Sequence, residues 1–202
     1  MSIIIGLTGQ TGAGKGTAAS LLCDRGMSVI DCDKVAREIT EKGSKTLLEL
    51  TEAFSDEILN PDGTLNRAAL ASRAFSAPQH VRKLNSITHP AIIERTIEKA
   101  KSLSENGAKF ILLDAPTLLE SGAAEHCDVI IAVVADEDTR LERIIKRGNL
   151  SLEAAKKRMS AQPKTEFYTD NADYTIYNNG DIASLSEQVD RVFDDIMRNF
   201  TE

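Results

Sequence analysis

Cysteine is scarce in this chain. Only Cys23, Cys32 and Cys127 occur in 202 residues, at wide and irregular intervals. They make neither a disulfide framework nor a metal-ligand spacing, so a reducing compartment, the cytoplasm, is expected. Long hydrophobic runs are also missing. Nothing approaches the roughly 20 apolar residues that cross a bilayer, so no membrane partner is expected. The opening MSIII carries no basic n-region and runs into Gly and Thr, which reads as a strand rather than a secretory leader. Positive charge is short: 24 Lys and Arg stand against 31 Asp and Glu, a net −7. That balance excludes a general nucleic-acid or membrane-surface binder, which needs a wide basic face. A local basic site for one small anion stays open. Tryptophan is absent and aromatics reach only 4%, yet the 42% hydrophobic and 27% charged fractions are those of a soluble globular protein. Repeats and low-complexity tracts are absent as well. The length suits one domain with a real core, expected as a monomer or weak homo-oligomer.

What is present is alternation. Residues 3–8 form a short apolar run rich in β-branched residues, and 17–24 read as helix. Residues 28–31 make a second strand. FILLD (110–114) and DVIIAVV (128–134) are continuous apolar runs, as expected of strands covered on both faces, and 173–178 give a weaker fifth. Helical patterns lie between and after them. Leu141, Ile144 and Ile145 share one face of 136–147, and Leu185, Val189, Val192 and Ile196 recur at helical spacing. Strand–helix alternation without a hairpin signal predicts an α/β fold. It is a five-stranded parallel sheet in a three-layer α/β/α arrangement, joined by right-handed crossovers. Residues 43–106 break the alternation, being helical throughout except for the turn NPDGT. A crossover needs far less, so this stretch reads as a helical substrate-binding insertion. Residues 148–164 are short, basic and polar, and read as a lid. The whole of 1–202 is then one domain, with its core in 1–42, 107–147 and 165–202.

GLTGQTGAGKGT holds the most specific signal. Gly9, Gly14 and Lys15 fit G-x-x-x-x-G-K between a strand and a helix, the context this phosphate-binding pattern requires. Glycine permits the positive φ that turns successive N–H groups inward. The helix start behind adds unpaired donors and partial positive charge. Gly12, Ala13, Gly14, Lys15, Gly16 and Thr17 are therefore the candidate ATP cradle, with Lys15 reaching the β- and γ-phosphates. Gly16 stands where a Ser or Thr normally binds Mg²⁺. Water or Thr17 must complete the metal shell, and Mg²⁺ keeps several waters in any case. The G-K-G-T form favours a small-molecule kinase over a GTP switch or motor. No N-K-x-D follows the late strand, where ADEDT stands instead. Asp114 ends the third strand. It either reaches Mg²⁺ through water or is a satisfied polar strand end.

The acceptor side is read from VIDCDKVAR. Ligands sit at the carboxyl ends of strands in open α/β sheets, and Asp31 and Asp33 end the second strand. An Asp is a weak base at pH 7, with a reference pKa of about 3.9. A loose phosphoryl transition state nevertheless needs only a group that orients the hydroxyl and finally takes its proton. Asp33 is the candidate, with Asp31 a supporting or Mg²⁺-linked partner. Arg37, four residues on, shares its helix face and suits a substrate phosphate; the plain alternative is a capping Asp with an exposed ion pair. His89 before Pro90 is either a turn or helix-start residue or a substrate-binding one. His80 and His126 read as surface residues, and Cys32 as facing the sheet interior. Among the basic residues of the late stretch, Arg147 and Arg158 are best placed to meet the transferring phosphoryl group, with Arg140 and Arg143 able to join them.

GLTGQTGAGKGT, VIDCDKVAR, DGTLNRAAL, THPAI, LLDAPTLLESG, RGNLSLEAAKKRMSAQ and ADYTIYNNG occur in the order seen in dephospho-CoA kinases, which the chain resembles over essentially its whole length. The D-x-D-x-x-A-R and H-P elements are more specific than the P-loop itself. The resemblance implies a P-loop NTPase-type fold. It also implies transfer of the γ-phosphoryl of ATP, with Mg²⁺, to the ribose 3′-hydroxyl of dephospho-CoA, the last step of coenzyme A biosynthesis. By the same resemblance, Asp33 acts on that hydroxyl and Arg37 holds the substrate. The helical insertion with His89 forms the CoA-binding part, and Asn178, Asn179 and Gly180, after the last strand, line the adenine pocket with backbone groups. Gly16, Ala115, Thr117 and the Gly148-Asn149 pair depart from the family's usual residues. The rival expectations are another small-molecule kinase, for a nucleoside monophosphate or sugar acid, and a nucleotide-binding regulator without catalysis.

Overall fold

Apolar runs that read as covered strands become the inner strands of one sheet in the computed structural model, which describes residues 2–200. Met1, Thr201 and Glu202, at the ends of the expected core, lie outside the described residues. The strands are β1 (Ile3–Gly9), β2 (Ser28–Asp31), β3 (Phe110–Asp114), β4 (Val129–Val134) and β5 (Tyr174–Tyr177), in the order β2-β3-β1-β4-β5. β1 is central. It runs parallel to β3, with Leu7 beside Asp114, and to β4, with Gly9 beside Val133. β4 in turn pairs in parallel with β5. Parallel neighbours require crossovers, and the helices that supply them cover both faces.

The period of two along β4 sorts those faces. Val129, Ile131 and Val133 join Ile5, Leu7, Leu112 and Ile176 in a core closed by helix α1 (Lys15–Asp24) and by the C-terminal helix, labelled α9 (Ile182–Phe200). Ala132 and Val134 point the other way, onto Tyr168. The expected C-terminal stripe is realised: Leu185, Val189, Val192 and Ile196 are all buried. Arg25 fastens α1 to α9, donating from Nε to Asp190 Oδ1 at 2.5 Å and from Nη2 to Ser186 Oγ at 2.9 Å.

Residues 31–101 form a second compact unit, which is helical. It holds α2 (Cys32–Glu38), α3 (Lys45–Phe54), α4 (Arg67–Ala74) and most of α5 (Pro78–Glu105) around a small core of Leu50, Phe54, Ile58, Leu70 and Ala74. The turn at NPDGT is present, with the Asn60 N–H donating to the Thr64 carbonyl at 2.8 Å. The compact unit opens at Asp31 and so includes the helix carrying Asp33 and Arg37, ahead of the insertion expected over 43–106. His89-Pro90 is neither a turn nor a helix start but lies inside the 28-residue α5. A proline ring removes one donor from a helix at a cost of about 3 kcal/mol, which the helical turns on both sides of Pro90 outweigh.

The remaining elements follow β4. They are α6 (Glu137–Gly148), α7 (Leu152–Ser160) and α8 (Thr165–Thr169). The stretch expected as a lid is thus mostly one helix, capped by Ser151 accepting from the Ala154 N–H.

Candidate active site

β1 delivers the chain into the glycine loop, and the loop's shape is forced by what presses on it. Gly12 has φ +81, and a Cβ there would lie 2.7 Å from the Arg140 carbonyl oxygen. Gly14, the N-cap of α1, has φ +96 and would put a Cβ 2.1 Å from Asn178 Nδ2. Both positions demand glycine for conformation and for space. Gly16 differs: nothing lies within 4 Å of a Cβ built on it. Packing does not require glycine at 16, and a hydroxyl-bearing side chain would fit there.

Three bonds from outside hold the loop backbone. The Thr11 N–H donates to Gln162 Oε1 at 2.8 Å, the Thr11 carbonyl accepts from Arg140 Nε at 3.0 Å, and the Ala13 carbonyl accepts from Asn178 Nδ2 at 2.8 Å. The Ala13 N–H turns back to the Gln10 carbonyl at 3.1 Å. The N–H groups of Gly12, Gly14, Lys15 and Gly16 donate to no acceptor among the described residues. No acidic residue stands in the first turn of α1. Unpaired donors at a helix start with no competing carboxylate make an anion cradle. Gly14→Ala should weaken ATP binding by about tenfold or more, since strain in the left-handed region adds to displacement of Asn178. Isothermal titration with ATP checks this.

Lys15 Nζ pairs with Asp114 at the end of β3, and both side chains are largely buried, at 16% and 17% exposure. The expected strand-end carboxylate therefore sits beside the loop lysine. Thr17, in the first turn of α1, is exposed, with its hydroxyl unengaged among the described residues. Also among these residues, no three His, Cys, Asp or Glu side chains gather to hold a metal. One carboxylate and one hydroxyl fit Mg²⁺, which takes few protein ligands and keeps waters and phosphate oxygens.

The basic residues divide into two kinds. Arg140 is 5% exposed and serves the loop through Thr11. Burial pulls its guanidinium below the ordinary pKa, against the charges of Tyr168 and Glu137. Burial and Glu120 push the neighbouring Tyr168 phenol up to about 12. Arg143 donates from Nη1 to the Asn178 carbonyl at 2.8 Å and from Nη2 to the Gly180 carbonyl at 3.4 Å. Arg140 and Arg143, expected as able to join Arg147 and Arg158 at the phosphates, brace main chain. Arg147 and Arg158 are exposed and meet no acceptor among the described residues. Asn179 Oδ1 accepts from the Asp136 N–H at 2.8 Å, so its side chain secures the start of α6.

In the helical unit, Asp31 is the N-cap of α2, accepting from the Lys34 N–H at 3.0 Å. The cap is thus Asp31 and not Asp33. Asp33 and Arg37 are exposed one helical turn apart and form no ion pair with each other. Cys32 is buried at the start of α2, with Sγ 3.9 Å from Thr96 Oγ1. His89 is half-buried, and burial holds its imidazole below the ordinary pKa. A neutral His89 can donate or accept a hydrogen bond but is a poor cation for a phosphate. His80 and His126 are exposed, as expected. Sequence reasoning missed Gln10 and Gln162, and for Asn178 it missed the side-chain bond to the loop. Gln10 directly follows β1 and Asn178 directly follows β5, so strand-end logic could have found both.

Residues 3–184 match the family model described as dephospho-CoA kinase. The dephospho-CoA kinase of Corynebacterium jeikeium is 43% identical over 188 residues, covering 93% of this chain and 96% of that one. That of Corynebacterium efficiens is 40% identical over 193 residues, 96% of each. Among solved structures, the dephospho-CoA kinase from Campylobacter jejuni superposes with a TM-score of 0.73 at 27% identity, over 98% of this chain and 99% of that one.

Proposed function

Since the chain belongs to the dephospho-CoA kinase family, we propose that it transfers the γ-phosphoryl of ATP to the 3′-hydroxyl of dephospho-CoA, giving CoA and ADP. The observation that carries this reading is the match over residues 3–184. It takes in the phosphate loop, the Asp-x-Asp-x-x-Ala-Arg stretch and the expected lid together. The unengaged N–H groups of the loop support the ATP half independently of any relative.

In this reading, Gly12 to Thr17 hold the β- and γ-phosphates and Lys15 offsets the charge on the transferring group. Asp33 orients the acceptor hydroxyl and takes its proton, Arg37 holds a substrate phosphate, and His89 makes a neutral hydrogen bond to the acceptor. Arg147 and Arg158 bring positive charge to the leaving phosphates, and the main chain at Asn179 lines the adenine. Thr17, and Asp114 through water, hold Mg²⁺. A Mg²⁺ held by these residues would supply positive charge to offset that of the phosphates. The cytoplasm is the proposed compartment. No helix among the described residues is long and apolar enough to cross a membrane, and Cys23, Cys32 and Cys127 are not joined in disulfides.

The test is ADP formation from ATP with dephospho-CoA, against nucleoside monophosphates and sugar acids, each at matched concentration. Turnover with dephospho-CoA alone is expected, with the new phosphate on the 3′-oxygen by mass spectrometry and NMR. Turnover confined to another acceptor overturns the assignment. ATP binding with no turnover on any of them points to a regulator.

A further inference from the structure

One residue of the phosphate loop is held at both of its main-chain groups by side chains far away in sequence. Thr11 gives its N–H to Gln162 at 2.8 Å and takes Arg140 Nε on its carbonyl at 3.0 Å. Gln162 lies in the turn after α7, held there by its own N–H donating to the Met159 carbonyl at 3.1 Å. The same turn is gripped a second time. Gln10, 4% exposed, donates from Nε2 to the Pro163 carbonyl at 3.3 Å and accepts from Thr165 Oγ1 at 3.4 Å. Each glutamine thus reaches into the other's segment, one from the loop and one from the end of the basic stretch.

The direction of the Thr11 N–H has a consequence for its neighbours. Pointed outward at Gln162, it does not compete for phosphate, and the loop from Gln10 to Gly12 is fixed on its outer side. That setting leaves the N–H groups of Gly12, Gly14, Lys15 and Gly16 as the available donors. Donors fixed before the reaction stabilise developing charge better than donors that must first reorganise. Gln162 also closes the stretch that carries Arg158, four residues earlier.

We propose that Gln162 is a positioning residue for phosphoryl transfer: it fixes the loop's donors through the Thr11 N–H, and so ties the setting of the loop to the segment bearing Arg158. This rests on the reading of the loop as an ATP site.

The test uses Gln162→Met, which keeps length but lacks the amide oxygen, with Gln162→Ala alongside in case the first does not fold. ATP affinity is measured by calorimetry and kcat and both KM values by steady-state assay, with Tm as a control. About a tenfold weaker ATP Kd and a tenfold lower kcat are expected, with KM for dephospho-CoA within about twofold of wild type, as for loss of one ordering hydrogen bond. ATP Kd and kcat both within about twofold of wild type overturn the proposal. So does an equal rise of KM for both substrates, the sign of general loosening. Wild-type protein that fails to bind ATP overturns the reading beneath it instead, so the two failures are told apart.

Discussion

Lys15→Met should lower kcat by about three orders of magnitude or more and weaken ATP binding by at least about tenfold, read by steady-state ADP release and calorimetry. The magnitude follows from the lysine's position at the cradle. An ammonium beside the transferring phosphoryl group acts where charge develops, and removal of one such donor in a dry site costs about 10² to 10³ in rate. Loss of ground-state attraction to the triphosphate adds to this. The structure supplies a complication that must be separated out. Lys15 Nζ is paired with Asp114, and both are largely buried. Removing the lysine strands a carboxylate, and an unpaired buried charge is itself destabilising. The double variant Lys15→Met/Asp114→Asn removes that residue of repulsion. It should regain the Tm lost in the single variant yet stay inactive. A double variant with restored turnover would mean that the lysine serves only to neutralise Asp114. Near-normal kinetics in Lys15→Met alone would remove the cradle itself from the account.

Much of the scaffold was legible because its signals are local. FILLD and DVIIAVV read as covered strands since every position but one terminal Asp in each is apolar, and β3 and β4 are the strands flanking β1 in the sheet. The glycine loop was legible for a similar reason: a fixed spacing, set between a strand and a helix, corresponds to one backbone shape. The stripe of α9 followed from its period. What escaped was decided by partners distant in sequence. Arg140 and Arg143 look like free cations in a basic stretch. Their targets, the carbonyls of Thr11, Asn178 and Gly180, are main-chain groups that leave no mark in composition. Gln162 is an unremarkable amide in SAQPK until the chain brings to it Thr11, 151 positions away in sequence. Pro90 misled in the opposite direction. A proline is a boundary signal on local grounds, and the helix persists through it because tertiary packing and the adjoining turns outweigh one missing donor. The compact helical unit opens at Asp31, ahead of the insertion expected over 43–106. Asp31 ends a strand and caps a helix at once, so strand passes into helix with no loop between to mark a boundary.

Asp33→Asn should lower kcat by about 10² to 10⁴, the range for loss of a positioned proton acceptor, while ATP affinity and Tm stay within error of wild type. The division of labour between the two carboxylates of DCD gives the experiment its control. Asp31 has a structural task already, accepting the Lys34 N–H at the start of α2. Its loss in Asp31→Ala should cost about 1 kcal/mol of stability, the ordinary worth of an N-cap, with a modest change in kcat. Asp33 has no such task. It is exposed in the first turn of α2 and bonded to nothing among the described residues. An unengaged carboxylate one helical turn from an unengaged Arg37 contributes little to folding, so its substitution should be silent in a melting curve. A kinetic collapse without a thermal one is therefore the signature of the acceptor role. The opposite pattern, with Asp33→Asn active and Asp31→Ala inactive though folded, would move the base to Asp31 and require its cap bond to open during turnover. Arg37→Met refines the same point: raising KM for dephospho-CoA by about tenfold at unchanged KM for ATP, as expected for a lost charge-assisted contact to a substrate phosphate, would put both members of the helix face on the acceptor.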